Sequence, residues 1–254
     1  MTASPIDHEN KMDQEERSIL SGGNSLPKAR LLFPATVLTA FLLIGLGIYL
    51  VFYIAPTEAV MGLVQKIFYI HVPAAWVMFL ALLIGAGASV AFIATRRDGA
   101  DRLAHSSLEL ATLFGLMVLI TGPLWGYKTW GTPWEWDVRL TTFLVLELVL
   151  LAYLLVRAFG GPGARLLAAA IAIFGTVQLP IVYFSVDLWR GQHPTRVVSE
   201  GGLHPDMLLA LIVCLAGFLL VFLVFLTARL AIGRAEARLD ELYLLAEDSG
   251  LEET

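Results

Sequence analysis

Six stretches of about twenty predominantly apolar residues recur along this chain, near 31–53, 72–94, 106–127, 140–158, 165–186 and 206–229. A helix rising about 1.5 Å per residue needs about 20 residues to cross a hydrocarbon core of about 30 Å. Within that core every backbone N–H and C=O must be bonded inside the protein, and an uninterrupted apolar run does this as a helix. Only 15% of the 254 residues are charged and 57% are hydrophobic, with a mean hydropathy of +0.75. Soluble domains average about 25% charged residues. The expected fold class is therefore an all-α integral membrane protein with six transmembrane helices. Residues 1–27 contain no apolar run, so no cleavable signal peptide is expected and the first span should serve as an uncleaved anchor.

The cations set the orientation. Twelve of the 17 Lys and Arg residues lie in the two tails and in the connectors between spans two and three and between spans four and five. The remaining five, Lys66, Lys128, Arg139, Arg190 and Arg196, lie on the other side. An excess of cations marks the cytoplasmic side. Both termini are then expected in the cytoplasm, and the aromatic, histidine-containing connectors on the outer face. The expected organisation is a disordered cytoplasmic tail over 1–27, a six-span membrane domain over 28–230, and a partly helical cytoplasmic tail over 231–254. The net charge of −5 comes from acids concentrated in the tails. Membrane lipid is the expected surroundings, and no nucleic-acid partner is expected. The lone cysteine, Cys214, excludes an intramolecular disulfide, a CxxC redox pair and a C-x-x-C-H haem attachment site. It reads as a small buried hydrophobe.

Four of the six tryptophans fall in one outer connector, "WGYKTWGTPWEWDVR", at Trp125, Trp130, Trp134 and Trp136. Interfacial belts also use tryptophan, but they scatter one or two per helix end. A concentrated set offers a flat apolar platform beside charges, suited to a large planar ligand with a few anionic groups, such as a porphyrin. Thr132, Pro133 and Glu135 fit a capping box, which predicts a short helix starting at Pro133 and leading into span four. His71, in "FYIHVPAAW", lies at the outer end of span two, and His193, in "DLWRGQHPTR", lies between spans five and six. Neutral imidazole is a common haem ligand. The pair forms a coherent axial set, with His204 competing for the second place. Arg139, Arg196 and Lys128 are candidates for contacts to propionates. Within span four Glu147 is an intramembrane carboxyl, costly unless functional or bonded across to Gln178, Tyr153 or Tyr183. His105 has Glu109 one turn on as a local partner.

Three of these segments together resemble one family. "WGTPWEWDVRLT" is similar to the WWD signature, W-G-x-x-W-x-W-D, of haem-handling proteins. "YIHVPAAW" and "LPIVYFSVDLWRGQHPTR" resemble the two histidine-bearing segments of the haem exporter protein C family of cytochrome c maturation, over about residues 30–230. The resemblance implies haem b as bound cargo on the periplasmic face of the bacterial inner membrane. It implies axial ligands at His71 and His193, and a WWD platform at Trp125, Gly126, Trp130, Gly131, Trp134, Trp136 and Asp137. Pro133 stands where relatives often carry an aromatic. The implied partners are a periplasmic haem chaperone, the ABC transporter subunits of the maturation complex and a small accessory membrane protein. The implied role is haem transport rather than an enzymatic reaction, with His204 left as a loop residue. The alternatives are a WWD-type cytochrome c haem lyase component, whose chains are usually longer, and a membrane cytochrome b electron-transfer subunit, which would place its histidines inside the spans.

Overall fold

The computed structural model describes residues 27–189, 191–194, 198 and 201–248. Residues 1–26 of the predicted N-terminal tail, Arg190 and Arg196 lie outside them. Six helical segments are long and apolar enough to cross a membrane: Leu31–Ile54, Leu63–Thr95, Asp98–Trp130, Val138–Phe159, Ala164–Leu188 and Pro205–Asp248. The six expected spans are therefore present.

Helix α1 (Pro27–Tyr49) continues into a π turn (Leu50–Ile54), and a 3₁₀ turn (Leu63–Ile67) leads into α2 (Phe68–Thr95). Lys66 joins the two, its Nζ donating to the main-chain oxygens of Ala55 at 2.8 Å and Pro56 at 3.2 Å. A cation at a helix C-terminus satisfies carbonyls that have no helical partner. Helix α2 closes at Arg96, which takes the left-handed conformation (φ 55°) and donates its N–H to Phe92 O. Helix α3 (Asp98–Trp130) follows at once, so α2 and α3 pack as an antiparallel pair along their length. Gly85 permits the close approach: a Cβ there would stand 2.6 Å from Leu108 Cγ.

Helices α4 (Val138–Phe159), α5 (Ala164–Val177), α6 (Leu179–Leu188) and α7 (Pro205–Asp248) complete the bundle. The core stripe of α2 is Ala74, Val77, Met78, Ala81 and Leu82, spaced three and four apart. It meets Leu108, Ala111 and Phe114 of α3, Leu146 and Leu150 of α4, Ala168 and Ala172 of α5, and Phe222 of α7. Helix α1 packs mainly on α7 and exposes Leu31, Leu32 and Phe41, as expected of a lipid-facing helix.

Ion pairs close the end of the bundle opposite the tryptophans. Arg157 donates to both oxygens of Asp101, at 2.7 and 3.1 Å, and Arg165 donates to Asp101 at 2.8 Å and Asp98 at 2.6 Å. Arg229 forms a two-pronged pair with Glu109, at 2.7 and 2.8 Å. His105 Nε2 lies 3.4 Å from Glu109, the local partner expected from the sequence. The side chains of α3 thus tie α4, α5 and α7 together.

Four local expectations are corrected. The chain between Gly131 and Asp137 is not helical, and α4 begins at Val138 with Asp137 as its N-cap, Oδ1 accepting from Leu140 N at 2.8 Å. Aspartate is the stronger capping residue. The Thr132 hydroxyl is already engaged with Trp134, donating to its carbonyl at 3.0 Å and lying 3.4 Å from its N–H. Trp125 and Trp130 belong to α3, which runs to Trp130 and ends on Gly131 at φ 81°, a left-handed position that favours glycine. Span five breaks at Gln178, because Pro180 has no N–H to give the preceding turn. Glu147 is buried, yet neither carboxyl oxygen has a hydrogen-bond partner among the described residues. The expected bond to Gln178, Tyr153 or Tyr183 does not form. The carboxyl instead fills space left by Gly115, where a Cβ would overlap Glu147 Oε2.

Candidate functional site

The antiparallel α2–α3 pair decides where His71 goes. One turn into α2, its ring lies against α3 at Gly122, where a Cβ would stand 3.4 Å from His71 Cε1. Its Nδ1 lies 2.9 Å from Thr121 Oγ1. The Thr121 hydroxyl in turn donates to Met117 O at 2.7 Å. Trp125 follows one turn further along α3.

His193 reaches the same place from the segment after α6. Asp137 holds that segment: Oδ1 caps α4 while Oδ2 accepts from His193 N at 3.4 Å. Gly191 makes the approach feasible, since a Cβ there would lie 2.7 Å from Asp137 Oδ2. The ring Nδ1 lies 2.9 Å from Pro194 O. A carbonyl can only accept, so Nδ1 carries the proton and Nε2 keeps its lone pair. Burial, with the nearby Arg139 guanidinium acting in the same direction, pushes His193 down to about 4. The imidazole is thus neutral at physiological pH.

His71 and His193 together line two adjoining cavities. The first, about 600 Å³, is walled by Trp125, Trp130, Trp134 and Arg139, with Phe79, Val118 and Phe143 at its floor. The second, about 950 Å³, lies towards Met61, Gln65, Phe68, Leu203 and Met207 and also meets Trp125. Their walls are chiefly apolar, with a few polar groups converging, as a large planar ligand requires.

The tryptophans form two edge-to-face pairs, Trp125–Trp130 at 5.1 Å and Trp134–Trp136 at 5.7 Å between ring centroids. Gly126 lets the first pair form, because a Cβ there would meet the Trp130 ring at 3.1 Å. Trp136 differs from the other three: it is 76% exposed and lines a shallow surface dip with Glu135 and Gln192 instead. Trp134 Nε1 is buried with no hydrogen-bond partner among the described residues, a donor aimed into the protein without a taker.

The candidate propionate contacts separate. Arg139 lines the first cavity, and its Nη1 donates to Val182 O at 2.6 Å and Tyr183 O at 3.1 Å, anchoring α4 to α6. Lys128 is exposed, with Nζ 5.7 Å over the Tyr127 ring, and lines neither cavity. Arg196 lies outside the described residues. His204 is exposed at the start of α7, where its Nδ1 accepts from Asp206 N at 3.3 Å, and it lines neither cavity. Thr121, Gly122 and Gly191 were not legible as site residues. The only sequence hint was the i, i+4 spacing of Thr121 and Trp125.

The profile of a family described as "Heme exporter protein C" matches residues 21–242. The chain belongs to the haem exporter protein C family. Among curated relatives, the "Heme exporter protein C" of Bradyrhizobium diazoefficiens is 37% identical over 186 residues, 71% of this chain and 70% of the relative. The proteins of that name from Rhodobacter capsulatus and Escherichia coli K12 are 31% and 32% identical, over 78% and 66% of this chain and 84% and 69% of their own lengths. The match spans the first five membrane segments and most of the sixth, so the paired cavities of this family member sit within the matched region.

Proposed function

We propose that this chain receives haem b as cargo at the outer face of the inner membrane and hands it to a periplasmic haem chaperone during c-type cytochrome biogenesis. The observation that carries the reading is the meeting of His71 and His193, remote in sequence, at the shared wall of two apolar cavities beside Trp125. Membership of the haem exporter protein C family supports it, as does 33% identity to a Marchantia polymorpha protein named as a putative cytochrome c biosynthesis ccmC-like mitochondrial protein. The excess of cations at the opposite end of the bundle supports an outward-facing site and cytoplasmic termini.

In this reading His71 and His193 each offer Nε2 to the iron and so fix the plane of the ring. Trp125, Trp130 and Trp134 exclude water from one edge, Gly126 within α3 gives the Trp130 ring room, and Gly131 ends the helix beside it. Asp137 holds the His193 segment, and Trp136, being exposed, meets the incoming chaperone. Arg139 faces the propionates with the donors that the α6 carbonyls leave free, with Lys128 and Arg196 as further cationic partners of the acidic edge. The ABC transporter subunits and the small accessory protein act on the loaded chaperone. The chain supplies orientation and docking rather than acid–base chemistry. Glu147 and Gln178 lie away from both cavities and hold no cargo.

The test is an absorption spectrum of the detergent-purified protein titrated with haemin. A Soret band with low-spin features is expected, lost in H71A and H193A. No Soret band in any preparation, or unchanged bis-histidine features in the double variant, would overturn the reading.

A further inference from the structure

Resting on the reading of His71 as an iron ligand, we infer that Thr121 is its positioning residue: the Thr121 hydroxyl fixes the ring's tautomer and aims its Nε2 at the cargo. The chemistry follows from two hydrogen bonds. Thr121 Oγ1 lies 2.7 Å from Met117 O, and a carbonyl oxygen can only accept. We assign the hydroxyl proton to this bond within α3, the shorter of the two. With that assignment His71 Nδ1, 2.9 Å from the same oxygen, is the donor. The ring carries its proton on Nδ1, and Nε2 is left with a free lone pair. His193 reaches the same tautomer through Pro194 O, so both imidazoles present Nε2.

Two further features make this a built arrangement. Gly122, next in the chain, brings α3 against the ring, since a Cβ there would already be in contact with Cε1 at 3.4 Å. The ring is therefore packed against the same helix that supplies its hydrogen-bond partner. The acceptor is also a neutral hydroxyl. Metal-bound histidines commonly donate to carboxylates or carbonyls, which raise ligand basicity. A hydroxyl already donating elsewhere is a weaker acceptor than a carboxylate, so it orients His71 without pushing it towards imidazolate. Ligation is then firm enough to seat the iron and weak enough to let it leave with the next carrier.

The experiment uses the full-length, detergent-purified chain and haemin. T121V keeps the side chain's shape and removes the acceptor. T121A removes the same acceptor should valine not be accommodated, and T121S restores it. H71A is measured alongside, and thermal melts of the haem-free variants establish that each is folded. The expected result is a haemin Kd raised about 10- to 100-fold in T121V, the cost typical of removing a ligand's outer partner. T121S should return to the parent Kd. The haem that T121V does bind should show an altered Soret position and a shifted midpoint potential, which mere loss of packing would not produce in a folded protein. A parental Kd, spectrum and potential in T121V, with haem lost in H71A, overturns the role of Thr121 and leaves the ligand assignment standing. Parental haem binding in H71A overturns the ligand assignment itself, and this role with it.

Discussion

Asp137 links the helix that follows the tryptophans to the segment that carries His193, and this link can be cut in stages. Its Oδ1 caps α4 through Leu140 N at 2.8 Å, and its Oδ2 accepts from His193 N at 3.4 Å. In D137A both arms are lost. The cap contributes about 1 kcal/mol, and a net hydrogen bond about another 1 kcal/mol. If both act on the population of the haem-ready loop, the sum of about 2 kcal/mol corresponds to roughly a thirtyfold weaker haemin Kd. D137N separates the arms. Its remaining carbonyl oxygen keeps the cap, while its NH₂ group faces the His193 N–H donor with another donor. The expected loss is about fivefold, with an unchanged melting temperature, since only the arm worth about 1 kcal/mol is removed and about 1.4 kcal/mol corresponds to a factor of ten. G191A attacks the same contact from the other side, because its Cβ would lie 2.7 Å from Asp137 Oδ2 and 3.1 Å from Cγ. It should resemble D137N and add little to it in the double variant, as expected for two changes acting through one contact. Haemin titration of the purified proteins, followed at the Soret band, measures all four. A folded D137A that binds haemin as tightly as the parent would refute the proposed coupling of cap and histidine segment.

Three other outcomes are expected. His193, held down at about 4 from an ordinary value near 6.5, gains a proton only in strong acid. Its depressed value means that its contribution to the site is present above pH 6.5 and is lost as pH falls towards 4. Haemin ligation by His193 should therefore persist from pH 8 to about 5, as followed by the low-spin spectrum, and a loss centred near the ordinary histidine value of about 6.5 would contradict it. D101N leaves Arg157 and Arg165 without their shared carboxylate. Breaking a buried pair costs about 3–5 kcal/mol, so a marked fall in melting temperature is expected with the Soret band unchanged in the surviving folded protein. W134A should weaken haemin binding more than W136A, because Trp134 lines the first cavity and Trp136 is 76% exposed. W136A should instead impair transfer to the chaperone, measured by covalent haem on the chaperone after mixing.

The membrane spans were legible because their cause is one-dimensional: a run of apolar side chains long enough for the bilayer is readable without knowing any neighbour. Their number and approximate limits agree with the structure, which extends α3 through Trp130 and α7 through Asp248. The connector is less legible. The Thr132–Glu135 pattern satisfies a capping rule, but capping is a competition, and Asp137 won it because its carboxylate serves both α4 and the His193 segment. The tryptophans were visible as a cluster, yet their separation into three cavity walls and one exposed ring depends on where α3 stops and α4 turns away. Glu147 was conspicuous in the sequence, but its surroundings were not, because they arise from Gly115 on another helix.

By itself, then, the sequence determined what the bilayer and local chemistry impose: six spans, an uneven distribution of cations, a tryptophan-rich connector and two histidines flanked by motifs that resemble one family. The tertiary structure decided everything that depends on one helix facing another. The short α2–α3 turn brings Thr121 and Gly122 to His71. Arg139 reaches two carbonyls of α6, at Val182 and Tyr183, and Gly191 admits His193 to Asp137. No spacing rule encodes these contacts, because each joins residues remote in sequence whose distance is fixed only when the whole bundle has packed.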